Sequence, residues 1–225
     1  MTDKPMTKAA AERIAGTMGF AGKMPGTTYG IPAKACHTGG KLAQIPGTVC
    51  ADCYALKGNY IYPSVEKSQE TRLASIDSPH WENAMVMLLN WHMAKGVNRK
   101  GEKIDTKHHR WHDSGDIQSE AHLDKICNVA RRTPKVNHWL PIKELKMLLS
   151  YVAKGNTIPG NLVIRVSGTN VDGPATKQWK HTSVVYTETS PKGAHRCVAP
   201  DHDGHCGPCR ACWSHDVAQT AYLKH

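Results

Sequence analysis

The sequence predicts an α/β fold in the form of a shortened or incomplete β/α barrel, with a cysteine-rich loop added at its C-terminal end. Strand-like and helix-like segments alternate through the second half of the chain, which is typical of βαβ units and a mostly parallel sheet. The chain has 225 residues, whereas a full eight-unit barrel takes about 250 residues. We therefore expect five or six strands, in a domain over residues 1–190, and a cysteine-rich metal-binding segment over residues 191–225.

The elements follow from the spacing of apolar and turn-forming residues. Residues 1–30 are expected to form a helix and a glycine-rich loop, and residues 31–63 an irregular loop rich in glycine and proline. Two helices are expected between Ser64 and Gly96, where apolar residues recur at helical spacing. Later strands are predicted at 108–114, 135–142, 161–168 and 182–188, and later helices at 119–133, 143–155 and 214–223.

Composition limits the class of protein. The chain carries 29 Lys and Arg against 19 Asp and Glu, a formal charge of +10, which suits either an acidic partner such as nucleic acid or ordinary solubility. It has no run of eighteen apolar residues and no apolar signal core at its N-terminus, so we expect no membrane span and a cytoplasmic location. Eight cysteines without a signal peptide argue against a disulfide framework and for metal binding.

The first set of cysteines comprises Cys36, Cys50 and Cys53, spaced C-x₁₃-C-x₂-C. Three thiolates can hold three irons of a [4Fe–4S] cluster and leave the fourth iron open to a non-protein ligand, which is the arrangement of a catalytic site. The alternative is a structural zinc site completed by His37 or another histidine. Spacing alone favours neither.

A polar turn follows the first of the predicted later strands. The stretch RWHDSGDI places His112, Asp113, Ser114, Gly115 and Asp116 at a strand's carboxyl end, where ligands collect in parallel α/β folds. Either aspartate could accept hydrogen bonds from an ammonium group, and Gly115 permits close backbone approach. The alternatives are that Asp116 caps the next helix and that His112 lies in the core.

Two further strand ends offer polar side chains suited to ribose, carboxylate or adenine contacts. We predict that Arg165, Ser167 and Asn170 after one strand, and Glu188 after another, bind a cofactor. The alternative for each is a role in a capped turn.

The second set of cysteines lies near the C-terminus, at Cys197, Cys206, Cys209 and Cys212, spaced C-x₈-C-x₂-C-x₂-C. The tight run is similar to ferredoxin ligation and favours an auxiliary iron–sulfur cluster. A structural zinc site is the alternative.

Two resemblances extend this interpretation. Three clustered cysteines before an α/β repeat resemble the radical S-adenosylmethionine superfamily, although the first cysteine gap is much longer than its usual three residues. The stretches CADCYALKG, RWHDSGDI, HWLPIK and CGPCRACW resemble the gene product 88 family of phage proteins. The superfamily resemblance implies that Cys36, Cys50 and Cys53 hold a catalytic cluster, that S-adenosylmethionine binds its open iron, and that the SGD turn holds the methionyl amine. It also implies an electron donor such as a flavodoxin or ferredoxin.

We therefore expect a radical S-adenosylmethionine enzyme with two [4Fe–4S] clusters. The second site could hold zinc instead of a cluster. Charge and the phage resemblance suggest a nucleic-acid or nucleotide substrate in the host cytoplasm. The alternatives are a zinc-stapled nucleic-acid-binding module without catalysis and an iron–sulfur redox protein that does not use S-adenosylmethionine.

Overall fold

The computed structural model describes residues 6–98 and 100–224, which form a seven-stranded parallel sheet covered by helices. The strand order is β1-β2-β3-β4-β5-β7-β6, and every neighbouring pair is parallel. The strands are β1 Thr27–Tyr29, β2 His108–Trp111, β3 Asn137–Ile142, β4 Leu162–Val171, β5 Thr182–Tyr186, β6 His195–Arg196 and β7 Gln219–Leu223. The prediction of an α/β fold with a parallel sheet is confirmed. The sheet is not closed, and the finer expectation of an incomplete barrel stays a prediction.

The described residues form six α-helices, of which α1 precedes β1 and the other five lie between β1 and β4 in the sequence. They are α1 Lys8–Ala15, α2 His37–Leu42, α3 Pro63–Ser75, α4 Trp81–Lys95, α5 Glu120–Arg132 and α6 Leu145–Ala153. The helices predicted between residues 64 and 96 correspond to α3 and α4, and α4 ends at Gly96, which adopts the left-handed conformation typical of a helix C-terminus. In α5, Ser119 caps the N-terminus by accepting the His122 backbone N–H at 3.0 Å.

Four elements differ from the sequence prediction, and the seven strands of the described residues exceed the five or six expected. The short helix α2 lies within residues 31–63, which were expected to be irregular loop, and β6 was not predicted. Residues 27–29 were expected to lie in a glycine-rich loop, but Thr27–Tyr29 pairs with β2 as a buried edge strand of three residues. The helix predicted at 214–223 is wrong, because Gln219–Leu223 pairs with β5 along its whole length. The segment 191–225 thereby contributes two strands, β6 and β7, to the main sheet.

The main core lies between the sheet and the helical layer. Trp81 of α4 and Trp111 of β2 are fully buried there beside Tyr29, in edge-to-face and tilted ring contacts 5.8–6.1 Å apart. The Trp81 indole N–H donates to the Tyr29 hydroxyl at 3.0 Å. Burial of these rings fixes which face of β1 and β2 meets the helices, and leaves the alternate side chains on the opposite face.

The opposite face of the sheet carries polar and aromatic side chains. Arg110 of β2 lies over the ring of Trp139 of β3, 4.5 Å from its centre. Trp139 contacts Trp213 of the C-terminal segment edge-to-face, and Trp213 donates to the His109 carbonyl at 2.9 Å. The C-terminal segment therefore packs against this face rather than extending away from the domain.

Candidate active site

The first thiol set lies on the long loop that follows β1. Cys36 immediately precedes α2, and Cys50 and Cys53 lie in the turns that end this loop. Gly39 of α2 lies between two of these thiols: a Cβ there would be 3.5 Å from the Cys50 sulfur and 3.7 Å from the Cys36 sulfur. The loop therefore places a residue without a side chain beside the sulfurs.

The three cysteines lie at a cavity of about 420 Å³ at the carboxyl ends of the parallel strands. Cys36, Cys50 and Cys53 line it, as does the whole turn from His112 to Asp116. Strand ends of β3, β4, β5 and β7 supply the remaining wall, which includes Lys143, Ser167, Ser183 and Tyr222. The structure thus brings the first thiol set and the RWHDSGDI turn together, at the edge where parallel α/β sheets bind ligands.

Charge around the thiols is mixed. Burial raises the pKa of Cys36, and so do the nearby Asp116 and the thiols of Cys53 and Cys50. Burial also raises the pKa of Cys50, an effect that the Lys143 ammonium opposes. Thiols with raised pKa values stay protonated until a metal or a cation displaces the proton.

The loop is held in place by Glu144, which follows β3. Its carboxylate accepts the backbone N–H of Thr38 at 2.7 Å and the Thr38 hydroxyl at 2.7 Å. Glu144 is 6% exposed, and this pair of hydrogen bonds is partly buried. It ties the first turn of α2 to the end of β3.

Asp116 joins two strand ends. It is buried, and its carboxylate accepts the backbone N–H of Ile117 at 2.7 Å and that of Lys143 at 2.6 Å. Burial raises the pKa of Asp116 to about 7, against the opposing effect of these two N–H groups. Ser119 caps α5. Asp116 therefore does not have the helix-capping role that was the alternative considered from the sequence.

The other turn residues have different surroundings. Ser114 donates to the Ile31 carbonyl at 2.8 Å, and Gly115 has a φ of 82°, with Ile31 so close that a Cβ would lie 2.3 Å from its side chain. The Asp113 carbonyl accepts the Tyr54 hydroxyl at 2.6 Å, while its buried Oδ1 has no hydrogen-bond partner among the described residues. Asp113 is therefore the turn carboxylate with the most spare acceptor capacity.

His112 adopts a left-handed backbone with φ of 55°. Its Nδ1 lies 3.2 Å from the Tyr29 carbonyl, which assigns the proton to Nδ1, and its ring contacts His122 at 5.2 Å between centres. Burial lowers the pKa of His112 to about 4. His112 lines the cavity, but its ring packs toward α5. Its side chain therefore has the core position that was the alternative considered from the sequence.

The predicted cofactor-binding residues of β4 and β5 are placed differently from one another. Ser167 lines the cavity and accepts the Ser183 hydroxyl at 3.2 Å. Asn170 and Glu188 are exposed and are not part of the cavity wall. Arg165 is fully buried and also lies outside the wall.

The Arg165 guanidinium is used by the C-terminal segment. It donates to the carbonyls of Ala211, Cys212, Ser214 and Val217 at 2.8–3.0 Å, and at longer range to those of Thr182 and Ala218. This set of contacts satisfies a buried guanidinium without a ligand, so the geometry assigns Arg165 to holding the segment in place.

The second thiol set surrounds a separate, apolar cavity of about 20 Å³. Cys197, Cys206, Cys209 and Cys212 all line it, together with His195, whose Nε2 lies 3.5 Å from the Cys209 sulfur. Burial raises the pKa of Cys212 to about 12, an effect opposed by its hydrogen bond with the Tyr222 hydroxyl at 3.1 Å. Tyr222 lines both cavities, so its side chain is shared by their two walls.

Metal binding stays a prediction at both sets. All eight cysteines are free thiols, and within residues 6–98 and 100–224 no three His, Cys, Asp or Glu side chains are close enough to hold one metal ion. The donor chemistry of the first set nevertheless fits an iron–sulfur cluster, since three thiols share an open cavity and the backbone of Gly39 leaves the space between two of them free of a side chain.

A family model described as gene product 88 matches residues 2–222. The chain belongs to the gene product 88 family. This confirms the resemblance to that family of phage proteins, and the matched range contains every residue that lines the two cavities except Leu223 and Lys224. No curated protein and no solved structure matches the chain. The match does not support membership of the radical S-adenosylmethionine superfamily. None of the helices in the described part of this family member has the length and apolar character needed to cross a bilayer.

Sequence reasoning did not assign several residues that the structure brings to the cavity or to the thiol loop of this family member. Arg110 lies in the middle of β2, and Tyr54 follows the last thiol of the loop. Glu144 contacts the loop from 106 residues away. The alternation of β2 could have indicated Arg110, since His109 and Trp111 on either side are fully buried. The contact between Glu144 and Thr38 has no local signal.

Proposed function

We propose that this gene product 88 family member is an iron–sulfur enzyme of the radical S-adenosylmethionine type that modifies a nucleic acid or nucleotide. The observation that carries the proposal is the meeting of two sequence motifs at one cavity. The thiol loop follows β1, the acid-ended turn follows β2, and both line the cavity at the carboxyl ends of a parallel sheet.

Cys36, Cys50 and Cys53 would hold three irons of a [4Fe–4S] cluster and leave one iron for S-adenosylmethionine. When bound, the cluster supplies the electron that cleaves S-adenosylmethionine reductively, and a flavodoxin or ferredoxin would supply that electron in turn. Lys143 supports the ligand role of the thiols, because its ammonium opposes the rise in the pKa of Cys50.

The residues in and beside the cavity have distinct parts in the proposal. Asp113, with an unpartnered Oδ1, would accept a hydrogen bond from the ammonium group of the cofactor. Asp116 and Glu144 hold the two neighbouring strand ends and the thiol loop in position. Trp139 and Tyr222 supply apolar walls that exclude water from the reacting groups.

The second thiol set would hold an auxiliary iron–sulfur cluster or a structural zinc ion. Cys197, Cys206, Cys209 and Cys212 are the proposed ligands in either case, and Tyr222 lies between them and the main cavity. A net charge of +10 suits a substrate that carries phosphate groups.

The experiment is anaerobic purification of the full chain with quantification of iron, acid-labile sulfide and zinc. We expect the Cys50→Ala, Cys53→Ala variant to lose one cluster and to retain the metal of the second set. The Cys209→Ala, Cys212→Ala variant should show the reverse loss. Wild type reduced with dithionite should cleave S-adenosylmethionine, and the first variant should not.

Two outcomes would reject the proposal. Protein that holds only zinc after iron-replete anaerobic expression, and that binds nucleic acid without turnover, would be the zinc-stapled binding module. Protein that holds the iron of both sets but leaves S-adenosylmethionine intact would be a redox protein of another kind.

A further inference from the structure

Arg110 places a guanidinium in the wall of the main cavity. The side chain projects from the middle of β2 on the face opposite the helices, and it lies over the Trp139 ring at 4.5 Å. One terminal nitrogen donates to the Tyr54 hydroxyl at 3.1 Å and the other to the Met24 sulfur at 3.0 Å. Tyr54 directly follows Cys53, so Arg110 is in contact with the thiol loop.

The hydrogen-bonding capacity of this guanidinium is largely unused. A guanidinium has five N–H donors, and the partners of Arg110 are one hydroxyl and one thioether sulfur, which is a weak acceptor. Its Nε is buried and has no partner. In the described part of the chain no carboxylate lies within ion-pair distance of Arg110.

Arg165 on the same face provides the contrast. Arg165 is fully buried, whereas Arg110 is half-buried, and the donors of Arg165 reach the carbonyls of the C-terminal segment, so it has no need of a ligand. The Asp113 carboxylate is near enough to favour the charged guanidinium of Arg110 electrostatically. Among the described residues, however, no carboxylate accepts a hydrogen bond from Arg110, and its buried Nε has no acceptor, which is unfavourable. Arg110 therefore keeps donor capacity for a partner that is not part of the described chain.

A second unused donor belongs to the same wall. Trp139 is 5% exposed, and its indole N–H has no acceptor among the described residues. Two unpartnered donors, one of them charged, favour a ligand that brings several acceptor oxygens and negative charge.

We propose that Arg110, assisted by Trp139, binds a phosphate or carboxylate group of the substrate in the main cavity. This inference deepens the proposed function, on which it rests, because a nucleic acid or nucleotide supplies the phosphate. The contact of Arg110 with Tyr54 then places the anionic group next to the thiol loop, with the rest of the substrate in the open part of the cavity.

The test is isothermal titration calorimetry of the full chain at low ionic strength, with four probes: inorganic phosphate, AMP, adenosine and succinate. We expect wild type to bind inorganic phosphate and AMP, and adenosine at least about tenfold more weakly than AMP. Arg110→Gln should weaken the binding of AMP at least about tenfold, and Arg110→Lys should restore part of it, because lysine keeps the charge but not the planar fork. Binding of succinate alone, with the same dependence on Arg110, would identify a carboxylate as the source of the anion.

The matched control is Arg131→Gln, which makes the same change at an exposed arginine of α5. Its affinity for AMP should equal that of wild type. Thermal unfolding by circular dichroism identifies a variant that fails to fold, and Arg110→Lys then carries the comparison. Equal AMP affinities in wild type and in folded Arg110→Gln, or no binding of any anion by wild type, would overturn the proposal. If the protein holds no iron but binds AMP in an Arg110-dependent way, the proposed enzyme is rejected and the anion site is kept. If the protein holds iron and cleaves S-adenosylmethionine but binds AMP independently of Arg110, the anion site is rejected and the proposed enzyme is kept.

Discussion

The carboxylate of Asp116 accepts the backbone N–H of Lys143 at 2.6 Å, which joins the turn after β2 to the end of β3. The same carboxylate accepts the Ile117 N–H at 2.7 Å. Lys143 and Glu144 follow one another on the joined strand end, so this one buried side chain also determines where the Lys143 ammonium and the Glu144 carboxylate stand relative to the thiol loop.

We expect Asp116→Ala to destabilise the protein by about 2–4 kcal/mol, because two backbone N–H groups lose their carboxyl acceptor at a buried strand edge. Urea unfolding followed by circular dichroism measures the change. Asp216→Ala, at an exposed position, should leave the free energy of unfolding within about 0.5 kcal/mol of wild type. A small effect of Asp116→Ala would mean that water replaces the carboxylate at this strand edge.

The buried histidine of β3 makes stability depend on pH. His138 Nδ1 accepts the Trp111 indole N–H at 3.1 Å, so Nε2 carries the proton and donates to the Thr133 hydroxyl at 2.9 Å. Burial lowers the pKa of His138 to about 3. His109, 5.7 Å away between ring centres, is also buried with a lowered pKa.

Because its folded-state pKa lies below the unfolded value near 6.5, His138 stabilises the protein above about pH 6.5, and the contribution falls as pH drops toward 3. We expect His138→Gln, whose amide can both accept from Trp111 and donate to Thr133, to reduce the slope of stability against pH by up to about 1.4 kcal/mol per pH unit over this window. Unfolding free energies from pH 4 to 7 measure the slope. His80→Gln, at an exposed site, is the control, and an unchanged slope in His138→Gln would refute the assignment.

The sheet could be predicted because each later strand has a strong local pattern. Residues 162–166 are apolar or buried in unbroken succession, and the strand prediction there differs from the structure only at its ends. Three-residue β1 has too few positions to establish a period, and the segment of β7 was predicted as a helix. Both become strands because a neighbour is already present to pair with them, β2 for β1 and β5 for β7.

The site was predictable where chemistry is local in sequence. Cysteine spacing and the RWHDSGDI turn identify two walls of the main cavity. Arg165 shows the limit: a charged residue within an apolar strand indicates an unusual partner, but the partner is a chain segment 46–53 residues later. Such contacts depend on the return of the C-terminal segment across the sheet, which no local pattern specifies.

Glu144 should control the order of the thiol loop. We expect Glu144→Ala to speed amide hydrogen exchange over residues 37–42 and to increase the alkylation rate of the loop thiols in metal-free protein several-fold, because Thr38 loses both of its acceptors. Glu144→Gln can still accept the Thr38 N–H and donate to its hydroxyl, so its effect should be smaller. Glu70→Ala, at an exposed position of α3, should leave both rates unchanged. If Glu144→Ala matches Glu70→Ala, the loop is held by other contacts.

Arg165 should decide whether the C-terminal segment stays on the sheet. Arg165→Leu leaves the buried carbonyls of Ala211, Cys212, Ser214 and Val217 without their donor, and we expect a loss of at least about 3 kcal/mol in unfolding free energy. Limited proteolysis should then cut between residues 197 and 218 before the rest of the domain. Arg165→Lys restores the charge but offers three donors instead of five, so it should be intermediate in both measurements. Arg131→Leu, which removes an exposed guanidinium, should leave the protease pattern as in wild type. Cleavage distributed over the whole chain in Arg165→Leu would show that the segment and the sheet unfold as one unit.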